Sequence, residues 1–516
     1  MSGPAESADP TGYDALVIGA GHNGLVTAAY LARGGMRTML VEARDTVGGT
    51  AATVPFGGGR VNICNCDHVV FRTTPIIEEL GLAQHGLEYL DVEPAQYNLP
   101  WNGGPAWALW KDGDATLESL ARTYPSEVDG YRRYLAAATP VVEMIFAAAV
   151  EPPTLTGLGR VALRRRLAGV PTLMRWARRS AADVMRSFFG HHAVSGSAMV
   201  TGPMVWGISP ELPGSGLGAL THAMRHVGTL GRPVGGSGMV PTSLLSAFEE
   251  SGGTLRTGAK VSEIRCEAGR VRGVSLVDGT EIDAPVIVSA CNPHDTFLRW
   301  LRNPPAAAEA LIERWRGIPI EGGYESKIDA ILTEAPRLLG VDGETGPTTV
   351  VTPTLGEIDS GYHLMQSGEI LPQPGLLVQT PSVLDPSLAP EGKQVFSLEA
   401  LFTPYDLAGG WPGSRQPERW LEEFATLCEP GFLDSIEEWR PMTPDVYERD
   451  FHLPRGHATS FAGGPLAAFR SKDPELTNYE TAVRGLYLTG AATFPGAGVW
   501  GASGRNCAAI VLARHA

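Results

Sequence analysis

Three glycines in the spacing Gly19-x-Gly21-x-x-Gly24, followed by an acid at Glu42, are residues that could hold the phosphates and ribose of a dinucleotide. Gly19 permits a tight turn, Gly21 lets the backbone approach a pyrophosphate, and Gly24 lets a helix pack close to a sheet. The free N–H groups and positive dipole end of that helix would face the phosphates. Glu42 would accept hydrogen bonds from ribose hydroxyls and repel a 2′-phosphate.

These residues converge only if the elements around them come in the right order. Residues 13–18 are an apolar run ending in glycine and read as a short buried strand; 25–31 read as an Ala-rich helix. A second apolar run at 39–41 ends at Glu42. Strand, turn, helix, strand and acid are the order of a dinucleotide-binding unit. Arg44 is placed to flank the adenosine end. The doublet Gly48-Gly49 is unexpected in a plain NAD domain. It suits a two-domain flavoprotein, where backbone runs against the ribityl and phosphate groups with no room for a Cβ. FAD is the cofactor expected.

At 516 residues the chain needs two or three subdomains. A formal net charge of −15 argues against nucleic-acid binding. Cysteines at 64, 66, 266, 291, 428 and 507 form neither a disulfide framework nor a metal-ligand pattern, and no metal is expected. Residues 1–12 read as a disordered leader. No stretch reaches about 18 uninterrupted apolar residues, so no transmembrane helix is expected and the protein is read as soluble and cytoplasmic.

The chain divides into five stretches. Residues 13–75 form the first part of an FAD-binding domain, and His68 is one of the few titratable groups near its end. It is either a structural histidine or a proton acceptor or substrate anchor. Residues 76–232 read as a mostly helical, substrate-covering region, with helices at 76–80, 126–150, 172–189 and 217–229. Within it, 160–186 holds eight arginines and one aspartate with apolar residues between them. This stretch is either a solvated face or a peripheral contact with an anionic membrane or acidic partner. Residues 233–295 form the second part of the FAD domain. The Gly-rich turn 235–239 lacks a feeding strand and is not an NAD site; a β-meander from 253 then ends in the apolar run 285–290. Residues 296–475 read as a mixed sheet flooring a substrate cavity, with strands at 327–332, 376–380 and 394–401. Lys327, one of only five lysines, opens the first of these. Residues 476–516 form the third part: a strand ending at Gly490, a Gly-rich loop to 502, and a helix from 503 to 514. That helix N-terminus could stabilise charge at the N1–C2=O locus of a flavin.

With these motifs in this order, the chain resembles the FAD-dependent phytoene-desaturase-like oxidoreductases of the amine-oxidase and carotenoid-desaturase superfamily. The resemblance implies an α/β two-domain flavoprotein, with a Rossmann-like FAD-binding domain and a mixed-sheet plus helical substrate domain. It implies that Gly19, Gly21 and Gly24 hold the pyrophosphate and Glu42 the ribose. Ala43, Arg44, Gly48, Gly49 and Thr50 would line the cofactor, and Val261 would contact adenine. Gly490 would lie near the ribityl chain, and Val499, Trp500 and Gly501 near the isoalloxazine. Trp500 is bulkier than the residue expected in a carotenoid desaturase, and it shapes the pocket. Lys327 resembles the lysine that holds a water near flavin N5 in amine oxidases. The implied activity is hydride transfer from an apolar small molecule to FAD, forming C=C or C=N. Electrons would pass on to O₂, a quinone or a protein acceptor. A flavin amine oxidase, a flavin-dependent isomerase without net redox change, and a flavoprotein that only binds are the alternatives.

Overall fold

The computed structural model describes residues 12–64, 67–320, 322–323, 325–341, 345–457 and 473–515. The expected leader falls outside these residues up to position 11, and so does Cys66. The other five cysteines are free thiols.

The centre is a five-stranded parallel sheet, in the order Leu486–Leu488, Ile287–Ser289, Ala15–Ile18, Thr38–Val41, Thr254–Arg256. Every residue of its three inner strands is buried, which is why those strands read as unbroken apolar runs. Alternate residues serve two cores. Ala15, Val17, Leu40 and Val288 pack on the helices His22–Arg33, Met239–Glu250 and Ala502–His515. Leu16, Ile18, Met39, Val41 and Ile287 face the opposite way, against the meander. That meander pairs Val261–Glu267, Arg270–Leu276 and Glu281–Asp283 antiparallel, as its turn residues predict. Three distant stretches of chain thus share one sheet.

The second body is a seven-stranded mixed sheet, ordered Ile436–Met442, Glu325–Leu332, Gln394–Leu401, Leu376–Gln379, Thr348–Thr352, Gln96–Pro100, Trp107–Leu109. One face is apolar: Ile328, Ala330, Val351, Val378, Phe396 and Leu398 pack beneath Trp420, Leu421 and Phe424 of the helix Gln416–Ala425. The other face carries Gln96, Asn98, Lys327, Asp329, Thr348, Gln379 and Glu399, and all of these are buried as well. It turns towards the first body, where Lys327 donates to Asn62 O at 2.6 Å and Thr348 donates to Asp67 at 2.5 Å.

Several expectations are corrected. The stretch 76–232 is not simply helical: Tyr89–Asp91, Gln96–Pro100, Trp107–Leu109 and Gly231–Pro233 are strands, and two of them complete the seven-stranded sheet. The single helix expected over 172–189 is two, Val170–Trp176 and Ala181–Arg186, because Ser180 caps a new start by accepting from Asp183 N–H. The segment 217–229 is a tight 3₁₀ turn, Gly216–Leu220, running into Thr221–Val227. The first substrate-domain strand does not open at Lys327: it spans Glu325–Leu332 and is buried throughout. Among the described residues no helix is long and apolar enough to cross a membrane.

Candidate functional site

Beside the parallel sheet lies a cleft of about 520 Å³. Gly19, Gly21, Gly24, Glu42, Ala43, Arg44, Gly48, Gly49, Thr50, Val261 and Gly490 all line it. The glycines differ in what they do. A Cβ on Gly24 would lie 1.9 Å from Gly19 O, so here glycine is what lets helix and turn touch. Gly21 has an ordinary φ of −68°, and a Cβ there would meet nothing within 4 Å. Neither backbone strain nor packing requires its glycine. The room it leaves belongs to the cleft. The Gly48 doublet is laid directly on this turn: Gly48 N–H donates to Ala20 O at 2.8 Å, and Gly21 and Gly48 form a bridge.

Glu42 is fixed at the end of its strand by Ala20 N–H at 2.7 Å and Arg44 N–H at 2.9 Å, one on each carboxylate oxygen. Arg44 stacks over Phe451, 4.3 Å from the ring centroid. Its Nη1 is enclosed and has no hydrogen-bond partner among the described residues. Burial lowers the Arg44 pKa, with Glu42, Asp450 and Asp45 opposing. A room-leaving Gly21 beside a helix N-terminus, an oriented carboxylate and an unpartnered buried guanidinium fit a dinucleotide cofactor. Phe451, His452 and Pro454, from the segment after the mixed sheet, also line the cleft. Sequence reasoning missed them because no motif marks that loop.

A second cavity, about 830 Å³, lies under the helical region. Its wall is mostly apolar, including Val70, Met144, Ile145, Leu158, Val170, Leu173 and Trp206. One loop serves both spaces: Gly490, Ala491 and Ala492 line the cleft, and residues 494–500 line the cavity. The loop is pinned by hydroxyls, with Ser503 Oγ 2.8 Å from Thr489 Oγ1, 2.5 Å from Thr493 Oγ1, and accepting from Gly490 N–H at 3.1 Å. His22, which lines the cleft, hydrogen-bonds the backbone of Gly498, which lines the cavity; burial pushes this histidine down to about 4.

Of the other residues singled out, His68, Val499 and Trp500 line the cavity. Trp500 donates from Nε1 to Ala497 O at 3.0 Å and meets Phe146 edge-on at 5.7 Å. His68 is buried, with Nδ1 2.8 Å from Tyr89 OH and Nε2 2.9 Å from Ser237 Oγ. Burial pushes it down to about 3, so it is neutral across the physiological range. Gly501 lines neither space: a Cβ there would meet Ile76 Cδ1 at 2.7 Å and Phe71 at 3.0 Å. Lys327 also lines neither. Its Nζ is held by Asn62 O and by an ion pair to Asp329, itself paired with Arg440 at 3.1 Å. Two polar residues of the cavity wall carried no signal in the sequence: Asp67, which adjoins His68, and Arg225, one of several polar residues of the short helix Thr221–Val227.

Residues 24–319, more than half the chain, match the family described as flavin containing amine oxidoreductase. The chain belongs to that family. As a member of the flavin containing amine oxidoreductases it is an FAD-dependent oxidoreductase. Over its length it is 28% identical to the mouse (Mus musculus) pyridine nucleotide-disulfide oxidoreductase domain-containing protein 2, covering 97% of this chain and 93% of that protein. It is 25% identical to a lycopene-forming phytoene desaturase of Paracoccus sp., covering 96% of each chain. Cyclohexylamine oxidase from Brevibacterium oxydans has a similar fold, with a TM-score of 0.62 at 16% identity over 98% of this chain and 99% of that one. The two-domain flavoprotein architecture expected from the sequence is therefore the one observed.

Proposed function

We propose that this protein dehydrogenates an apolar small molecule held in the second cavity, one hydrogen leaving as hydride, for which FAD in the first cleft would be the acceptor, and the other as a proton to solvent, so that a C=C or C=N bond remains. When bound, the cofactor supplies the two-electron acceptor. The residues of the chain supply position. Gly19, Gly21 and Gly24 receive the pyrophosphate, Glu42 the ribose, and Arg44 and Val261 the adenosine end. Ala43, Gly48, Gly49, Thr50 and Gly490 border the length of the cofactor. Val499 and Trp500 border its reactive end, and Trp500 shapes the cavity. His68, neutral and braced between Tyr89 and Ser237, is a positioning residue of the wall.

The observation that carries this reading is the loop shared by both spaces, with residues 490–492 on the cleft and 494–500 on the cavity. A cofactor lying along the cleft would present its far end to whatever fills the cavity. The apolar wall excludes water from that meeting point, as hydride transfer requires. The other glycine turn, Gly235–Met239, packs on Thr53 and Asn62 instead of opening a second nucleotide cleft. The acceptor in this reading is O₂, a quinone or a protein.

The cavity mouth supports a peripheral membrane contact. Leu167 and Leu212 line the cavity and are each 52% exposed, and Leu163 beside them is 71% exposed. Arg160, Arg164 and Arg166, from the same stretch of chain as Leu163 and Leu167, are exposed as well. An apolar opening with exposed arginines in the same stretch suits uptake of a lipophilic substrate from an anionic bilayer.

The deciding test is anaerobic titration of the yellow holoenzyme with lipophilic alkenes, acids, alcohols and amines, following the visible flavin band. Bleaching by one class, with the dehydrogenated product recovered in equal amount, is the expected result. Product isomerised without bleaching would replace dehydrogenation by isomerisation. A protein that does not take up FAD would overturn the assignment of the first cleft.

A further inference from the structure

The apolar cavity has one polar end. Asp67, His68, Thr221 and Arg225 meet there. Val70, close in the chain to His68, and Met224, adjacent to Arg225, pack in the cluster that contains Trp500, so this end lies towards the shared loop. Asp67 is already engaged: Arg232 Nε donates to one carboxylate oxygen at 2.6 Å, and Thr348 Oγ1 donates to the other at 2.5 Å. Arg232 in turn donates to Gly346 O at 2.6 Å. His68 is braced by Tyr89 and Ser237.

Arg225 is the exception. It is 6% exposed, and its Nη1 is enclosed without a hydrogen-bond partner among the described residues. It is within range of attraction from Asp67 and repulsion from Arg232, and burial lowers its pKa. One acid therefore serves two buried guanidiniums, and its two oxygens are already taken, one by Arg232 and the other by Thr348. A buried charge left in this state is costly unless something else completes it.

We propose that Arg225 is a specificity-determining residue that receives the carboxylate of an amphiphilic substrate, an apolar body ending in one acid group. This rests on the second cavity being the substrate site. The planar guanidinium matches a carboxylate with two parallel N–H···O bonds. The acid head lies at the inner end, by the shared loop, and the hydrocarbon body runs out towards Leu167 and Leu212. An ammonium head would face an uncompensated guanidinium, so amines are the least suited class.

The test uses flavin-loaded protein and three probes with one hydrocarbon body: decanoate, methyl decanoate and decanol, each below its aggregation concentration, titrated calorimetrically. A charge-assisted bidentate contact predicts decanoate binding roughly 10–100-fold more tightly than the ester or the alcohol. Arg225→Gln abolishes that preference while leaving ester affinity within about twofold, and Arg225→Lys restores part of it. Flavin content and the visible spectrum report whether each variant keeps its site. If Arg225→Gln fails to fold, the wild-type comparison and Arg225→Lys still decide. Equal binding of acid and ester by wild type, or a preference that survives Arg225→Gln, overturns the carboxylate assignment and leaves the apolar cavity standing. If all three probes fail to bind, the substrate-site reading falls, and this proposal with it.

Discussion

Gly21 and Gly24 sit three positions apart and answer to different neighbours, so replacing each with alanine separates cofactor from fold. At Gly24 a methyl group would press on Gly19 O at 1.9 Å, within the chain itself. Overpacking of that kind costs about 1–3 kcal/mol, and Gly24→Ala is expected to lower the melting temperature of flavin-free protein by several degrees. At Gly21 the methyl group meets no protein atom, and the backbone angle suits any residue. Gly21→Ala should leave the flavin-free melting curve unchanged and weaken FAD roughly tenfold or more, because the methyl fills the space assigned to the pyrophosphate. Equal FAD affinity in Gly21→Ala and wild type would remove the phosphates from this turn. Both residues were legible in the sequence because their task is set within one strand–turn–helix unit. Arg225 was not. What makes it notable is an unpartnered Nη1 and an engaged Asp67, and Asp67, Arg232 and Thr348 come from three other parts of the chain.

Elements were readable in proportion to how locally they are determined. The strand Gln394–Leu401 has the bounds its apolar pattern suggests. Gln96–Pro100 was hidden because its polar residues, Gln96 and Asn98, are buried and its parallel partner, Thr348–Thr352, lies far along the chain. The strand Glu325–Leu332 shows the same limit at the site. Alternation places Lys327 and Asp329 on one face, but the sequence does not disclose that this face is buried against Asn62. Lys327→Met should therefore act on stability. It leaves Asp329 with Arg440 and Ser397, which soften the loss, and the expected cost is about 3 kcal/mol by urea unfolding. Flavin reduction by substrate in the folded fraction should stay within a few-fold of wild type. A rate loss of about 100-fold at unchanged stability would instead put Lys327 beside the reacting atoms.

At the scale of the whole molecule, a chain with formal net charge −15 should be repelled by an anionic bilayer, so membrane contact depends on local charge winning over the total. Screening makes that feasible. At physiological salt the Debye length is about 8 Å, so a membrane facing the cavity mouth responds to Arg160, Arg164 and Arg166 and little to acids on the far side. Not every arginine of the stretch contributes. Arg165 is paired with Glu143 at 2.7 Å, and Arg186 is paired with Glu211. Exposed Arg160 and Arg166 would each add about 1 kcal/mol near an anionic surface, exposed Arg164, which has Glu151 at 3.9 Å, would add less, and Leu163 and Leu167 would add apolar insertion. The protein should therefore co-sediment with vesicles containing phosphatidylserine and much less with pure phosphatidylcholine, and binding should fall as salt rises. Arg160→Glu, Arg164→Glu and Arg166→Glu together should abolish binding while leaving flavin content intact, because these side chains are exposed and do not line the cleft. Sedimentation indifferent to the triple reversal would assign the basic stretch to solvent, and the lipophilic substrate would then have to arrive by another carrier.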